Sequence, residues 1–271
     1  MTVDRTVGNT GGNTGVPCWV GDVADEISYP TVFVTVSGAH LYGFASVDSD
    51  VDLRGVHLLP AEEVVGLRHG PQTLQKGGVR DGVELDLVTH DLGKFLRLLL
   101  KPNGYVAEQL LSPLVVRTTQ THEELTALAP GCLTRHHAHH YLGFAETQWK
   151  LFAETGELKP ALYSLRVLLT GIHLMRTGEI EADLRRLWTG HTLPYIPDLI
   201  AAKAAGEHRA WVGSPGLPDS AILARDVTRL RATLVEASAE SHLPERPSTY
   251  GALHDLLVRA RFDRPGLDRT D

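Results

Sequence analysis

Ser37-Gly38-Ala39-His40-Leu41-Tyr42-Gly43, followed five residues later by Ser49-Asp50-Val51-Asp52-Leu53-Arg54-Gly55, is the stretch on which this chain's architecture turns. Immediately before it, Thr31 to Val36 is β-branched and aromatic and bounded by Pro30 and Gly38, a pattern that predicts a strand. Gly38 and Gly43 bracket a turn or short helix. Alternation resumes from Asp50 to Leu59, with Val51, Leu53 and His57 on one face and Asp50, Asp52 and Arg54 on the other. Side chains two apart on a strand share a face and lie about 6.6 Å apart along the backbone. Asp50 and Asp52 can therefore converge on cations over that face. A third strand is expected over residues 83–88, where Asp86 offers one more carboxylate and Glu84 competes with it.

Carboxylate oxygens suit Mg²⁺ or Mn²⁺, which also bind substrate phosphates. Two such ions about 3.5–4 Å apart would clamp the attacking and leaving oxygens of an in-line displacement. In that arrangement Asp50 and Asp52 bridge both metals. Asp86 holds the second and lies nearest the attacking hydroxyl, as general base or orienting group. Gly38 lets backbone N–H groups face the β and γ phosphates of a nucleoside triphosphate. A calcium loop on Asp48, Asp50 and Asp52 fails, because its sixth position is Leu53 rather than Gly and its twelfth is Leu59 rather than Glu.

The remaining features bound this reading. At 271 residues, 42% hydrophobic and 22% charged, the chain has the composition of a globular protein with ample core. No stretch reaches the roughly 18 apolar residues of a membrane span. Residues 1–17 read as a flexible tail, and two cysteines, Cys18 and Cys132, suit a cytoplasmic protein without a disulfide framework. Residues 1–125 carry 9 Lys and Arg against 16 Asp and Glu, an acidic excess that bound cations would partly offset. A net charge of −7 argues against tight sequence-independent nucleic-acid binding, which depends on neutralising phosphates.

Helical spacing follows at residues 91–100 and 105–111. After residue 130 the strand signals fade, and amphipathic helices are expected over residues 139–155, 160–177, 179–188, 221–241 and 252–261, with a Gly/Pro-rich linker over 211–219. The expected organisation is an α+β domain over residues 18–130 followed by an all-helical domain over 131–271, with the site between them. Lys159 and Arg166, on one side of a helix, are candidates to grip a triphosphate. His136 and His140 have helical i, i+4 spacing but lack the His-Glu-x-x-His context of a zinc hydrolase, and read as helix-start packing. Arg185, Arg186, Arg259, Arg261 and Arg264 read as solvated charges.

The two quoted motifs resemble the DNA polymerase β-like nucleotidyltransferase superfamily, and within it the bacterial branch of which some members are associated with RNA-repair operons. That branch's pattern is close to Gly-Ser-x-x-Tyr-Gly and then Ser-Asp-x-Asp-x-Arg-Gly. The likeness continues at Asp86-Leu87-Val88-Thr89-His90-Asp91 and Pro102-Asn103, and more loosely at Tyr141-Leu142-Gly143 and Tyr163-Ser164-Leu165-Arg166. It implies a mixed sheet with helices, then a helical domain. It also implies metal-dependent transfer of a nucleoside monophosphate from an NTP, most often ATP, to a hydroxyl on RNA, a small molecule or a protein, with release of pyrophosphate. By position, Asp50, Asp52 and Asp86 match its carboxylates, and Gly38, Ala39, Tyr42, Ser49, Arg54, Lys159, Tyr163 and Arg166 fall at nucleotide-contacting places. Ala39 stands where the pattern has Ser, so a phosphate-contacting hydroxyl is missing. That departure motivates a second expectation, a catalytically weakened nucleotide-binding sensor or interaction protein.

Overall fold

The computed structural model describes residues 15–205 and 217–262. After a short helix α1 (Val20–Asp25) come β1 (Thr31–Val36), α2 (Gly38–Tyr42), β2 (Val51–His57), α3 (Glu62–Val65), β3 (Thr73–Arg80) and β4 (Val83–Asp91). Then follow α4 (Leu92–Leu99), α5 (Gly104–Leu110), β5 (Val115–Arg117) and α6 (Gln120–Leu128). The rest is helical: α7 (His137–Thr155), α8 (Leu158–Thr177), α9 (Leu184–Leu187), α10 (Ile196–Ala204), α11 (Ser220–Glu240) and α12 (Tyr250–Phe262). The expected α+β arrangement with a helical second half is the one observed.

The strands form one sheet in the order β3-β4-β2-β1-β5. β2 and β4 run parallel, with Asp52 opposite Asp86, while the other neighbours pair antiparallel. Alternation sorts the two faces. Val51, Leu53, Leu85 and Leu87 join Trp19, Val20 and Val23 of the α1 segment in one apolar cluster. Asp52, Arg54 and Asp86 consequently point to the opposite face. A second apolar cluster runs without interruption from Phe33, Phe95 and Leu110 to Leu165, Leu168 and Leu230 of the helical half. The helices thus pack directly onto the unit that carries the motifs.

Local chemistry sets several boundaries. Asp91 ends β4 and caps α4 by accepting from Gly93 N, Asn103 caps α5 through Val106 N, and Thr119 caps α6 through His122 N. The helix expected over residues 179–188 shrinks to the single turn of α9. There the Glu181 and Asp183 carboxylates accept from the backbone N–H groups of Asp183 and Arg185, competing with helical hydrogen bonding. Most of the expected linker over 211–219 lies outside the described residues, as does Arg264.

Arg261 corrects an expectation. It is buried rather than solvated: Nη2 donates to both Asp91 oxygens at 2.9 and 2.7 Å, and Nη1 donates to the Leu59 carbonyl. Asp91 also accepts from Leu59 N at 3.2 Å and Gly93 N at 2.9 Å, so both its oxygens are fully engaged. This contact ties α12 to the end of β4. Arg259 is exposed and pairs with Glu124. Among the described residues, no helix is long and apolar enough to cross a membrane.

Candidate active site

The motif turn is built around two left-handed glycines, Gly38 at φ 62° and Gly43 at φ 80°. A Cβ on Gly38 would lie 2.0 Å from Asp52 Oδ2, so only glycine lets the α2 backbone come this close to the carboxylate. The Ser37 N–H donates to the Asp52 carbonyl at 2.9 Å, fastening the start of the turn to β2. Ser37 Oγ is itself buried without a hydrogen-bond partner.

Asp52 and Asp86, opposite each other on parallel strands, are bridged by one guanidinium. Arg54 Nη2 donates to Asp52 Oδ1 at 2.8 Å and Asp86 Oδ2 at 2.9 Å. Its Nη1 donates to the carbonyls of Leu53 and Asp86, and its Nε to the Tyr105 hydroxyl at 2.9 Å. Every N–H direction of Arg54 is therefore used inside the protein. Burial alone would lower the Arg54 pKa, but Tyr105 and the two carboxylates outweigh it and raise it. Arg54 is thus a clamp across the two carboxylates. Tyr105, which completes the clamp, belongs to no motif and is found only through the fold.

Burial raises the Asp52 pKa, Arg54 opposes this, and Asp86 and Asp50 add to the rise through like charge. Asp50 therefore lies close enough to feel Asp52, one residue before β2 begins. Lys159 acts in the opposite direction on Asp52, so the first turn of α8 brings its ammonium toward the carboxylates. Asp86 has the more open side chain of the bridged pair, at 38% exposure against 27% for Asp52. Its partner on β3 is Gly77, and no side chain at that position covers it.

The fit of a divalent cation rests on the free oxygens of this pair. Asp52 Oδ2 and Asp86 Oδ1 accept no hydrogen bond among the described residues, and both are hard oxygen donors. The same residues contain no ready cage of three or more acidic, histidine or cysteine side chains. Mg²⁺ needs no such cage, since it is ordinarily held by one or two carboxylates plus water and substrate phosphate oxygens. The residues fit such an ion through Asp52 and Asp86, with Asp50 adjacent.

Ser49 and Ala39 are both buried. Ser49 is buried; its Oγ accepts from Ser46 N at 2.9 Å and lies 2.8 Å from Ser46 Oγ. Lys203 of α10, fully buried, donates to Ser46 Oγ at 2.8 Å. This lysine pins the loop that delivers Asp50 and was not foreseen, because α10 carries no motif and meets the loop only in the fold. Ala39 is buried in the main apolar cluster. Its methyl replaces the usual hydroxyl at a point facing the core.

A cleft of about 240 Å³ opens beside Gly38 and Asp52 and runs between the sheet and the helices α7 and α8. Tyr42, Tyr163 and Arg166, all singled out from the sequence, line it together with Tyr105, His140 and Phe144. Tyr163 packs against the rings of Tyr42, Phe44 and Phe144. Arg166 is buried, with Nη1 donating to Glu108 Oε2 at 2.8 Å and its guanidinium 3.8 Å from the Tyr42 ring centre. Glu84, the competing acidic residue, is exposed on β4.

Residues 20–259 match the RNA repair pathway DNA polymerase beta family. The chain belongs to that family. It is 35% identical over 159 residues to an uncharacterized protein of Methanocaldococcus jannaschii. The match covers 56% of this chain and 63% of that relative, so the chain spans less than two thirds of the relative's length. Among solved structures, a nucleotidyltransferase-like protein from Exiguobacterium sibiricum 255-15 aligns over 91% of this chain and 78% of its own, at 12% identity and a TM-score of 0.31.

Proposed function

We propose that the protein transfers a nucleoside monophosphate from an NTP, with ATP the first donor to test, to an acceptor hydroxyl and releases pyrophosphate. The observation that carries this reading is the facing of Asp52 and Asp86 across parallel strands, held by Arg54, with the Gly38 turn against Asp52. Membership of a polymerase β-like family supports the reaction class.

Asp50, Asp52 and Asp86 would hold two Mg²⁺ or Mn²⁺ ions, which when bound supply charge neutralisation on the phosphates and a template for in-line displacement. The chain's own groups do the rest. The Gly38 turn offers backbone N–H groups to the terminal phosphates. Lys159 adds a positive charge on the α8 side, the place for the triphosphate. Asp86, the more open carboxylate of the bridged pair, orients the acceptor hydroxyl and takes its proton as the acceptor oxygen attacks the α-phosphorus. The bond from that phosphorus to the bridging oxygen breaks, and pyrophosphate leaves. Positioning and charge stabilisation account for most of the catalysis in such reactions. The uncovered side of Asp86 at Gly77 leaves room for a bulky acceptor, and an RNA end is the first to test. The two unpaired cysteines among the described residues, Cys18 and Cys132, suit a cytoplasmic setting.

The test is a label-transfer assay with each of the four α-labelled NTPs, Mg²⁺ or Mn²⁺, and RNA, metabolite or protein acceptors. Transfer abolished by Asp50→Ala/Asp52→Ala supports the reading and names the acceptor. Metal-dependent NTP binding with no transfer to any acceptor class would replace it with the nucleotide sensor.

A further inference from the structure

Residues 15–125 hold eight Lys and Arg side chains, and these divide into two sets. Arg54, Lys76, Arg80 and Arg117 are ion-paired with Asp or Glu. Arg68, Lys94, Arg97 and Lys101 pair with no carboxylate among the described residues, although this half of the chain is rich in them. These four lie together. α4 buries Phe95, Leu96 and Leu99 and turns Lys94, Arg97 and, just past its end, Lys101 outward. Arg97 Nη2 approaches Gln72 Oε1 at 3.5 Å, so the loop that carries Arg68 runs alongside. Cations gathered along one helix face, with no internal partner, are the electrostatic footprint of a polyanion.

Lys94 joins this stripe to the carboxylate face of the sheet. Its ammonium and His90 Nδ1, the latter at 3.1 Å, both meet Thr73 Oγ1. Side chains two apart on a strand share a face, as do residues directly opposite each other on paired strands. Asp86, Val88 and His90 therefore form one row on β4, faced on β3 by Gly77, Gln75 and Thr73. The row runs about 13 Å from Asp86 to His90. Gln75 and Gly77 are exposed on the edge strand, so the row is open along its side. His90 is neutral near pH 7, its pKa being lowered to about 4 chiefly by burial. An acceptor with its hydroxyl at Asp86 thus meets neutral hydrogen-bonding groups first and a stripe of cations beyond them. A small metabolite does not reach that far, whereas a chain with a phosphate on every unit does. Neutral donors and acceptors next to the reacting end suit ribose hydroxyls.

We propose that the β3–β4 row and the outer face of α4 are the track for the backbone of a single-stranded RNA acceptor, with its terminal hydroxyl at Asp86 and its phosphates at Lys94, Arg97 and Lys101. The inference rests on the nucleotidyl-transfer reading for the place of the hydroxyl, and deepens it by fixing the acceptor class. With so few cations in an acidic chain, the grip is salt-sensitive and not strong.

The test is the fluorescence anisotropy of a short labelled single-stranded RNA on the full chain, from about 50 mM salt upward. Each phosphate contact to a single strand contributes about 0.7 to the slope of log affinity against log salt. Arg97→Gln/Lys101→Gln, at two exposed positions, should lower that slope by about 1.4 and weaken binding at least about tenfold at low salt. Adding Lys94→Gln should lower it by about 0.7 more. Lys150→Gln/Arg186→Gln/Arg246→Gln removes as many exposed charges from the helical half as that triple variant and should leave the slope unchanged. DNA of the same sequence should bind at least about threefold more weakly, for want of the ribose hydroxyls. Mn²⁺-dependent ATP binding should be the same in every variant. No binding of RNA by the wild type, or equal weakening by the helical-half variant, would overturn the track and leave nucleotidyl transfer to another acceptor standing. Equal binding of RNA and DNA would overturn the ribose contacts. RNA binding that depends on the α4 cations, with no ATP binding at all, would uphold the surface and sink nucleotidyl transfer.

Discussion

β4 carries two aspartates five residues apart, and their fates differ. Asp91 is fully engaged: two backbone N–H groups and Arg261 occupy both oxygens, in a site 3% exposed. Asp86 shares Arg54 with Asp52, is 38% exposed, and keeps one oxygen without a protein partner among the described residues. Both are carboxylate–arginine contacts on one strand, and only one retains capacity for a ligand. A saturated carboxylate holds the fold together, whereas an under-coordinated one beside an arginine keeps an oxygen available to a ligand.

Breaking each contact should separate these roles. Arg261→Met leaves Asp91 buried beside its backbone donors without a counter-charge, and should cost about 3–5 kcal/mol of unfolding free energy. A shift of the urea midpoint, with NTP-dependent activity retained in the folded fraction, is the expected result.

Acid should find the closed part of the molecule as well. His137 is buried, with its pKa lowered to about 4 chiefly by burial, against an ordinary value of 6.5. The unfolded chain therefore takes up this proton before the folded chain does. Stability contributed by neutral His137 is full above about pH 6.5 and declines as pH falls toward about 4, by on the order of 3 kcal/mol. Urea titrations at pH 7, 5.5 and 4.5 should show that fall, and His137→Gln should flatten it.

Arg54→Met sharpens the contrast from the open side. Water can reach Asp52 and Asp86, so the stability loss should be smaller, about 1–2 kcal/mol, despite more hydrogen bonds being removed. Activity, by comparison, should fall at least about tenfold, because the carboxylate spacing is no longer set. Chemical denaturation and initial rates on the same preparation decide this.

What the sequence disclosed follows the same division. The strand alternation and the Asp-x-Asp motif exposed β2, β4 and the carboxylate set, because local periodicity and spacing define them. β3 gave no such signal: Thr73–Arg80 is a largely exposed edge strand that contains Gly77-Gly78, so it lacks an apolar alternation. Arg261 looked solvated because its partner lies 170 residues away. Tyr105 and Lys203 were invisible for the same reason, being single residues whose partners are assembled only by the fold. Arg166 lines the cleft, and its buried partner Glu108 could not be paired with it from spacing alone.

The smallest effect belongs to Ala39→Ser. Ala39 faces the core, so the added hydroxyl should leave the KM for NTP within about threefold and cost about 1 kcal/mol through burial of a polar group. A large gain in NTP affinity would place that position at the phosphates instead.

The most direct test of the open-carboxylate account is Mn²⁺ binding, followed by electron paramagnetic resonance, to wild type, Asp52→Asn, Asp86→Asn and Asp91→Asn, each with its urea midpoint. The account predicts that Asp52→Asn and Asp86→Asn lose Mn²⁺ binding at nearly unchanged stability, while Asp91→Asn loses stability and binds the ion as before. Mn²⁺ binding that survives in both Asp52→Asn and Asp86→Asn would contradict it.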